Sequence, residues 1–143
     1  MLKITAAHLE DIRRHGEEAY PEECCGILVG TFDGDSRIVH ATPRCRNAAI
    51  ESPRTQYHID PRDVIRAQRD IREQGLEIVG FYHSHPDHPA QWSPTDLAEA
   101  HWIGCSYVIT AVENGRATDT NSFFLSGALE EDKAFTREEL LIV

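Results

Sequence analysis

The stretch LEIVGFYHSHPDHPAQWSPTD, residues 76–96, carries the strongest structural signal in the chain. Its first part, residues 76–82, is an imperfectly alternating apolar run that predicts a mostly buried β-strand. His83 and His85 follow at the end of this strand, and Pro86 ends it. Residues two apart in extended backbone point to the same side, so both imidazoles are expected to face one point.

Asp96 lies beyond a loop of ten residues after His85, in the first turn of a predicted helix. That helix begins at Ser93-Pro94-Thr95-Asp96 and is expected to reach about Trp102. A loop of this length can return to its starting point, which would bring the carboxylate of Asp96 beside the two histidines. Ser93 and Asp96 also match the spacing of a capping box, a purely structural alternative.

Two histidines and one carboxylate form a three-ligand set of the kind that holds zinc in catalytic sites, with water in the fourth position. Bound zinc lowers the pKa of that water to about 7, and a separate carboxylate would then accept its proton. A histidine pair near the end of a strand can also be structural. The same ligand set accepts other divalent ions. The His-x-His pair and the Ser93-x-x-Asp96 pattern occur together at a spacing that can close on one metal, and this combination favours a metal centre.

The rest of the chain predicts strands in hairpins, interrupted by helices. In the first half of the chain we expect an amphipathic helix over 5–18, a buried strand over 24–30, a hairpin turn at 33–35 and a strand over 36–42. An irregular segment over 44–53, a short strand over 55–59 and a helix from Asp60 to near Gly75 are expected to follow. Near the C-terminus we expect a hairpin of 107–112 with 117–125, and a strand or helical tail over 138–143. The predicted fold class is α/β (α+β) with about three helices, in a single domain over residues 1–143.

Composition narrows the function classes. The 143 residues carry a formal net charge of −10, from 24 acidic and 14 basic residues, and no basic stripe is evident. Nucleic acid is therefore a poor partner. No apolar run approaches the ~20 residues that span a bilayer, and the first residues lack the apolar core of a signal peptide. We expect a cytoplasmic protein that binds neither nucleic acid nor membrane.

The four cysteines are expected to be reduced, structural thiols, as is usual in the cytoplasm. They lie at Cys24, Cys25, Cys45 and Cys105, and none forms a Cys-x-x-Cys pair. Two residues beside the motif each have two possible interpretations. His88 is either an exposed loop residue or a residue that touches substrate. Trp92 either lines the cleft or covers the start of the helix that begins at Ser93. His101 and Trp102 are expected to be packing residues.

The motif resembles the JAMM, or MPN-plus, metallopeptidases of the Mov34/MPN/PAD-1 group. In that family HSHP is followed by SxxD, and residues 83–86, Ser93 and Asp96 match every position. An upstream segment similar to E-x-C-G-x-L-x-G is matched by residues 23–30. The resemblance extends from about residue 3 to residue 126, and it is to the short, stand-alone prokaryotic members.

The resemblance implies a cytidine-deaminase-like architecture with a largely antiparallel sheet, and it implies roles for individual residues. His83, His85 and Asp96 would hold one zinc ion per chain. Glu23 would be the general base, and Ser93 would hydrogen-bond the oxyanion of the tetrahedral intermediate. The neighbouring Glu22 is expected to point to the opposite side of the strand.

The resemblance also implies a substrate. Short members of this family act on ubiquitin-like sulfur-carrier proteins that end in Gly-Gly, cleaving the amide bond after the diglycine to mature the carrier or to release an amino acid. Such a tail could add as an extra strand beside a sheet edge. Two alternatives stay open: a zinc hydrolase of another peptide or small amide, and a non-catalytic MPN binding module. The sequence gives no oligomeric state.

Overall fold

A computed structural model describes all residues from 1 to 143. It contains three α-helices, a 3-10 turn at Glu130–Asp132, and nine strands in one mixed sheet. The helices are α1 (Ala6–Ala19), α2 (Pro61–Arg72) and α3 (Pro94–Glu99). The strands are β1 (Leu2–Ile4), β2 (Cys25–Asp33), β3 (Ser36–Ala41), β4 (Arg44–Cys45), β5 (Glu77–Pro86), β6 (Ser106–Glu113), β7 (Arg116–Ser126), β8 (Ala134–Glu138) and β9 (Leu140–Ile142).

The main sheet has the order β8-β7-β6-β5-β2-β3-β1-β9, with β4 paired to β2 outside this path. Most neighbouring pairs are antiparallel; β1 with β3, β1 with β9, and β5 with β6 are parallel. The two outermost strands, β8 and β9, are consecutive in the chain and separated only by Glu139. The chain therefore runs directly from one edge of the sheet to the other. The predicted fold class, mixed and largely antiparallel with three helices, is confirmed.

Helices cover the two faces of the sheet. On one face, α1 adds Ile12 to an apolar cluster built on β1, β2, β3, β5 and β6. On the other face, α2 packs its apolar stripe of Val64, Ala67 and Ile71 against a second cluster that includes Phe81. Asp60 caps α2 by accepting from the backbone N–H of Arg62, with Pro61 in the first turn, as predicted.

A register irregularity in β5 decides which face carries the histidines. Opposite β2, Leu28 pairs with Gly80 but Val29 pairs with Ile78, so one residue of β5 is extra. Ile78 and Phe81 consequently share one face although they are three positions apart. Beyond this bulge the alternation is regular. It places the two histidines on the face covered by α2 and α3, which explains the imperfect alternation in the sequence.

The structure corrects several predicted boundaries. Residues 55–59 form no strand; they are irregular backbone. The strand predicted over 76–82 is β5, which continues to Pro86, because pairing with β6 persists through both histidines. The third helix ends at Glu99 rather than near Trp102, where its C-cap residue has already turned to extended backbone.

Very short strands were not anticipated. The Leu2–Ile4 segment, β1, forms parallel pairs with two strands, and β4 lies within a segment predicted to be irregular. The C-terminal segment resolves to strand, with β8 beginning earlier than the predicted 138. No helix of the structure combines the length and the apolar composition needed to cross a bilayer.

Candidate metal and catalytic site

The side chains of His83, His85 and Asp96 converge at the carboxyl end of β5. His83 Nε2 and His85 Nε2 lie 3.1 Å apart. Asp96 reaches them from the first turn of α3, with Oδ1 3.3 Å from His83 Nε2 and Oδ2 3.1 Å from His85 Nε2. All three residues are buried. The predicted ligand residues are thus brought together, each presenting an electron-pair donor to the same small volume.

The hydrogen bonds of these side chains leave electron pairs on acceptor atoms that face one another, an arrangement that suits a cation. His85 Nδ1 lies 2.8 Å from the Pro89 carbonyl oxygen, which can only accept, so Nδ1 carries the proton and Nε2 a lone pair. That lone pair faces His83 Nε2 and the Asp96 carboxylate. Acceptors that face one another repel unless a proton or a cation lies between them. Two imidazoles and a carboxylate match the ligand preferences of zinc.

The pKa shifts of the three side chains follow from burial and mutual contact. Burial lowers the pKa of His83, and its contact with Asp96 only partly offsets this. Burial also opposes the charged form of His85, but Asp96 and the Pro89 carbonyl raise its pKa. Although burial would raise the pKa of Asp96, its contacts with the two imidazoles and the hydrogen bond from the Ser93 backbone hold it well below the usual range. Asp96 is therefore an anionic carboxylate at neutral pH.

Glu23 lies immediately before β2 and is buried beside the histidine pair. One of its carboxylate oxygens and one nitrogen of each histidine all lie within 4.8 Å of one another. Unlike Asp96, it makes no hydrogen bond to either histidine, and its Oε1 is buried without a partner. Burial raises the pKa of Glu23 to about 8, with His85 lowering it and Asp96 raising it further. Glu23 is thus a buried carboxyl group with a free hydrogen-bonding position.

The backbone around Glu23 is held on both sides. Its N–H donates to the Pro53 carbonyl, and the next residue, Cys24, donates from its backbone N–H to Ser84 Oγ on β5. Glu22, in contrast, is exposed. The choice of Glu23 over Glu22 as the residue on the site side therefore agrees with the burial of the two side chains.

Ser93 forms a full capping box with Asp96. Its Oγ accepts from the backbone N–H of Asp96, and Asp96 Oδ2 accepts from the backbone N–H of Ser93. The structural interpretation of this motif is correct, and it coexists with the position of Asp96 beside the histidines. The Ser93 hydroxyl proton has no acceptor among the hydrogen bonds of the structure, so this half-buried group can still donate.

Tyr57 was not identified from the sequence. Its ring stacks on the imidazole of His83, with centroids 4.3 Å apart and planes inclined by 20°. Burial raises the pKa of its hydroxyl well above the usual range, so the ring is neutral. Tyr57 belongs to the irregular segment after β4, and nothing in the local sequence pattern of that segment links it to β5.

Asn47 holds this segment in place and was also missed. Its Nδ2 donates to the backbone carbonyls of Glu23 and Gln56, at 3.1 and 2.9 Å. Its Oδ1 accepts from the backbone N–H groups of Ala49 and His58. One amide therefore ties the segment carrying Tyr57 to the backbone of Glu23. An Asn in an irregular segment is a common local cap, which is the only signal that the sequence offered.

Two adjoining cavities open beside these residues. A cavity of about 390 Å³ lies between residues 48–58 and the first turns of α3, and Asp96 is part of its wall. A more apolar groove of about 420 Å³ runs between α2 and Trp102. Tyr57, His58 and Glu99 line both, so the two cavities adjoin each other along these residues.

The exposure and contacts of the other residues singled out from the sequence show where each of them lies. His88 is exposed, and Trp92 is 38% exposed with its ring against Phe135. Trp102 packs against Phe81 as predicted. His101 does not pack in the core; it is exposed and pairs with Glu130. All four cysteines are free thiols, three of them buried.

Comparison with known proteins identifies relatives that are similar to this chain over most of its length. The chain is 37% identical to a desampylase of Haloferax volcanii, over 82% of this chain and 84% of that protein. It is 32% identical to a probable TtuB-protein conjugate cleaving protease of Thermus thermophilus, over 82% and 74% of the two chains. It is 27% identical to a CysO-cysteine peptidase of Mycobacterium tuberculosis, over 92% and 88%.

Solved structures show the same fold. A protein from Desulfitobacterium hafniense superposes with a TM-score of 0.84 at 31% identity, covering all of this chain and 93% of the other. A JAB1/MPN domain protein from Archaeoglobus fulgidus superposes with a TM-score of 0.60 at 16% identity, a likeness of fold alone. The family model described as prokaryotic homologs of the JAB domain matches residues 5–126. The chain is therefore a member of the prokaryotic JAB family, as the sequence motif implied.

Proposed function

We propose that this protein is a single-domain zinc-dependent peptidase that cleaves the amide bond after the C-terminal Gly-Gly of a ubiquitin-like sulfur-carrier protein. The observation that carries the proposal is the convergence of His83 Nε2, His85 Nε2 and the Asp96 carboxylate within 3.3 Å, with the buried Glu23 beside them. These are the groups that metal-assisted hydrolysis requires: a cation site and a separate carboxylate.

His83, His85 and Asp96 would hold one zinc ion, which supplies Lewis acidity and a water of lowered pKa when bound. His85 is oriented for this by the Pro89 carbonyl, and His83 by the Tyr57 ring. Glu23 makes no contact with the histidines comparable to that of Asp96. This difference supports the assignment of Asp96 as a ligand and Glu23 as the proton carrier.

Glu23 takes the proton from the attacking water and later delivers it to the departing amine. The water oxygen bonds to the glycine carbonyl carbon, the C–N bond breaks, and the products are a carboxylate and an amine. The Ser93 hydroxyl donates to the oxyanion that forms at the carbonyl oxygen. Its proton is uncommitted, because the capping box uses Ser93 Oγ only as an acceptor.

The substrate assignment is supported by the names of three relatives, which describe a desampylase, a TtuB-conjugate protease and a CysO-cysteine peptidase. The cavity of about 390 Å³ has Asp96 in its wall, and a diglycine tail has no side chains that such a space would have to exclude. A cytoplasmic location belongs to the same proposal, because reduced thiols are the rule there and all four cysteines are free.

The test is intact-mass spectrometry of a sulfur-carrier protein that ends in Gly-Gly followed by a short peptide. The substrate is incubated with the purified enzyme as isolated, after treatment with a chelator, and after zinc is restored. We expect one product that ends at the second glycine, lost with the chelator and recovered with zinc. A panel of short peptides without the carrier is assayed in parallel.

Each outcome separates the candidate functions. Cleavage of the peptides but not of the carrier would make the protein a zinc hydrolase of other amides. Zinc-free protein that binds the carrier without cleaving it would indicate a binding module. Cleavage that survives complete removal of the metal would contradict the proposed chemistry.

A further inference from the structure

Two of the four cysteines lie directly opposite each other on neighbouring strands. Cys25 opens β2, and its partner in the antiparallel pairing with β4 is Cys45. Directly opposite residues of such a pair place their side chains on the same face of the sheet. That face is the one covered by α2, because Cys45 packs against the same apolar cluster as Ile27, two residues after Cys25. Cys25 Sγ lies 4.0 Å from the Cys45 carbonyl oxygen, so the two side chains are immediate neighbours.

The backbone spacing of this pair permits a disulfide, although a strained one. The Ile27 N–H donates to the Pro43 carbonyl, and two positions along the same ladder Cys25 and Cys45 form a pair of the same hydrogen-bonded kind. Such pairs have Cα atoms about 5.5 Å apart, within the range of roughly 4.4–6.8 Å found for disulfides. Their Cβ atoms are about 5 Å apart, whereas a relaxed disulfide has about 3.8 Å. The bond therefore requires the strands to approach by about 1 Å, and strain of this kind makes a disulfide easier to reduce.

The strand β4 is weakly held and can make this movement. It has only two residues and pairs with β2 outside the main order of the sheet. Cys45 is half-buried and lies in the wall of a cavity of about 320 Å³ beside α2. Cys25, in contrast, is fully buried. Cys45 is therefore the thiol that a reagent in solution reaches first.

The cysteine pair adjoins the proposed catalytic site from two directions. Cys25 is two residues after Glu23, and on the other side of β2 it is paired with His83 of β5. Cys45 is two residues before Asn47, whose amide donates to the Glu23 carbonyl at 3.1 Å. A movement of β4 toward β2 therefore displaces the anchor that holds the irregular segment beside the proton carrier and a metal ligand.

We propose that Cys25 and Cys45 form a reversible disulfide under oxidising conditions, and that this bond slows hydrolysis at the adjoining site. This inference rests on the proposed function, because it assigns a regulation to that site. Both residues are free thiols in the structure. Disulfides that form in the cytoplasm are usually transient and redox-sensing, and a strained, easily reduced bond suits that role.

A small-molecule disulfide is the oxidant. The Cys45 sulfur attacks one sulfur of this reagent, which forms a mixed disulfide and releases the first half of the reagent as a thiol. The Cys25 sulfur then attacks the Cys45 sulfur, and the second half leaves as a thiol. The two cysteines lose two protons and two electrons, and the reagent takes up both. Burial raises the pKa of Cys45 to about 11, so the exchange is slow at neutral pH and requires sustained oxidation.

The bond is mapped by mass spectrometry. The zinc-loaded full chain is incubated with oxidised glutathione, or with dithiothreitol as the reduced reference, and free thiols are alkylated before trypsin digestion. Cleavage after Arg44 and Arg46 releases Cys45 in a dipeptide. The proposed disulfide attaches this dipeptide to the peptide of residues 15–37, which contains Cys25.

Three variants separate this pair from the other thiols. Cys45→Ala removes the pair and is the test variant. Cys24→Ala and Cys105→Ala are the matched controls, because each removes one buried thiol and leaves the pair intact. For every protein, kcat and KM on the extended carrier and the zinc content are measured before and after oxidation. Thermal unfolding checks that each variant folds.

For the oxidised wild type we expect the linkage of Cys25 to Cys45, an unchanged zinc content and a kcat lowered about 10- to 100-fold. This is the cost of displacing catalytic groups by about 1 Å. Dithiothreitol restores both the thiols and kcat. Cys45→Ala keeps the kcat of the reduced wild type under both conditions. The two controls form the linkage and lose activity as the wild type does.

Several results would overturn the inference. Oxidised wild type without the linkage would show that the pair does not form a disulfide. A linkage that leaves kcat unchanged, or an equal loss of kcat in Cys45→Ala, would show that the bond does not regulate the site. If the reduced wild type cleaves no carrier, the proposed function fails, and hydrogen exchange over residues 48–58 then decides the inference. Exchange there that oxidation does not change in the wild type would contradict it.

Discussion

The two oxygens of the Asp96 carboxylate contact three neighbouring residues. Oδ1 faces His83, whereas Oδ2 faces His85 and also accepts from the backbone N–H of Ser93. The hydrogen bond to the cap fixes the rotamer of Asp96, so the helix N-terminus itself orients the side chain toward the histidines. The capping box and the proposed metal ligand are therefore one arrangement, so the capping role of Asp96 does not exclude the proposed role in metal binding.

Tyr57 is expected to support the metal site through His83. Replacing it with Leu removes the stacked ring and should weaken zinc binding about tenfold, the lower range for loss of an outer-shell partner. Phe keeps the ring and should retain the affinity. Competition with a chromophoric chelator measures both. Equal zinc affinity in the Leu variant and the wild type would show that the stacking does not orient the histidine.

Ser93 is expected to act in both stability and catalysis, and two substitutions separate these roles. Ala removes the hydroxyl and the cap, whereas Gly removes the hydroxyl but is itself a tolerated N-cap residue. Both should lower kcat about 10²–10³-fold. Only Ala should also lower the free energy of unfolding by about 1 kcal/mol. Steady-state kinetics and urea unfolding are the measurements, and a Gly variant with full activity would restrict Ser93 to capping.

Sequence reasoning identified the site residues that belong to a local pattern. His83, His85 and Asp96 could be found because extended backbone and a short loop relate them directly. Tyr57 and Asn47 could not, because their roles depend on where an irregular segment crosses the sheet. No periodicity encodes such a crossing, since its contacts are made between residues distant in the chain.

At the scale of elements, the irregular segment between β4 and α2 completes the site. It has no strand or helix of its own over residues 46–60, and it is held by side-chain hydrogen bonds together with a few backbone bonds, among them the one from the Glu23 N–H to the Pro53 carbonyl. Asn47 supplies five of the side-chain contacts. Segments of this kind have low local stability, so a single anchor has a large effect on them.

Asn47→Ala is expected to loosen this segment while the sheet stays folded. The carbonyls of Glu23 and Gln56 lose their donor, and the segment that carries Tyr57 is released. Hydrogen exchange at residues 48–58 should accelerate markedly, with exchange in β5 and β6 unchanged. Asn47→Asp serves as the matched variant, because it keeps the acceptor and removes the donor. Unchanged exchange in Asn47→Ala would show that the segment is held by other contacts.

Long elements were predictable and short ones were not. The buried strands β2 and β5 and the capped helix α2 have clear apolar patterns and caps. The strands β1, β4 and β9 have two or three residues each, too few for a period to show. Their pairing is decided by neighbours far along the chain. The bulge in β5 likewise depends on pairing with β2, although the broken alternation at residues 78–81 was its visible trace.

At the scale of the whole molecule, a buried ion pair holds the C-terminal strands to the sheet. Glu138 at the end of β8 accepts from Arg37 of β3, and its Oε2 accepts from Ser106 and Ser122 at 2.6 and 2.8 Å. Both charged side chains are less than a tenth exposed. This pair links the edge strand β8 to β3, close to the point where β8 passes into β9.

The stability of this link is expected to depend on pH. Burial would raise the pKa of Glu138, but the hydrogen bonds and Arg37 hold it below its ordinary value of 4.5. Its contribution to folding is therefore complete above about pH 4.5 and is lost as pH falls through the lower, folded-state pKa. Glu138→Gln should cost about 3–5 kcal/mol at neutral pH. The difference from wild type should shrink in acid.

Urea unfolding of the wild type and Glu138→Gln at a series of pH values from 7 to 3 measures this difference. Glu139→Gln, the adjacent residue outside the ion pair, is the control and should match the wild type throughout. If the difference in free energy of unfolding between wild type and Glu138→Gln were constant across the series, the carboxylate charge would not be what stabilises this link.

The central claim is that one pocket contains a metal site, formed by His83, His85 and Asp96, and a separate proton carrier, Glu23. The most direct test is single-turnover cleavage of the extended carrier by Glu23→Gln whose zinc content has been determined. The account predicts one zinc per chain, as in the wild type, and cleavage slowed at least 10²-fold. Full zinc occupancy with cleavage at the wild-type rate would contradict it.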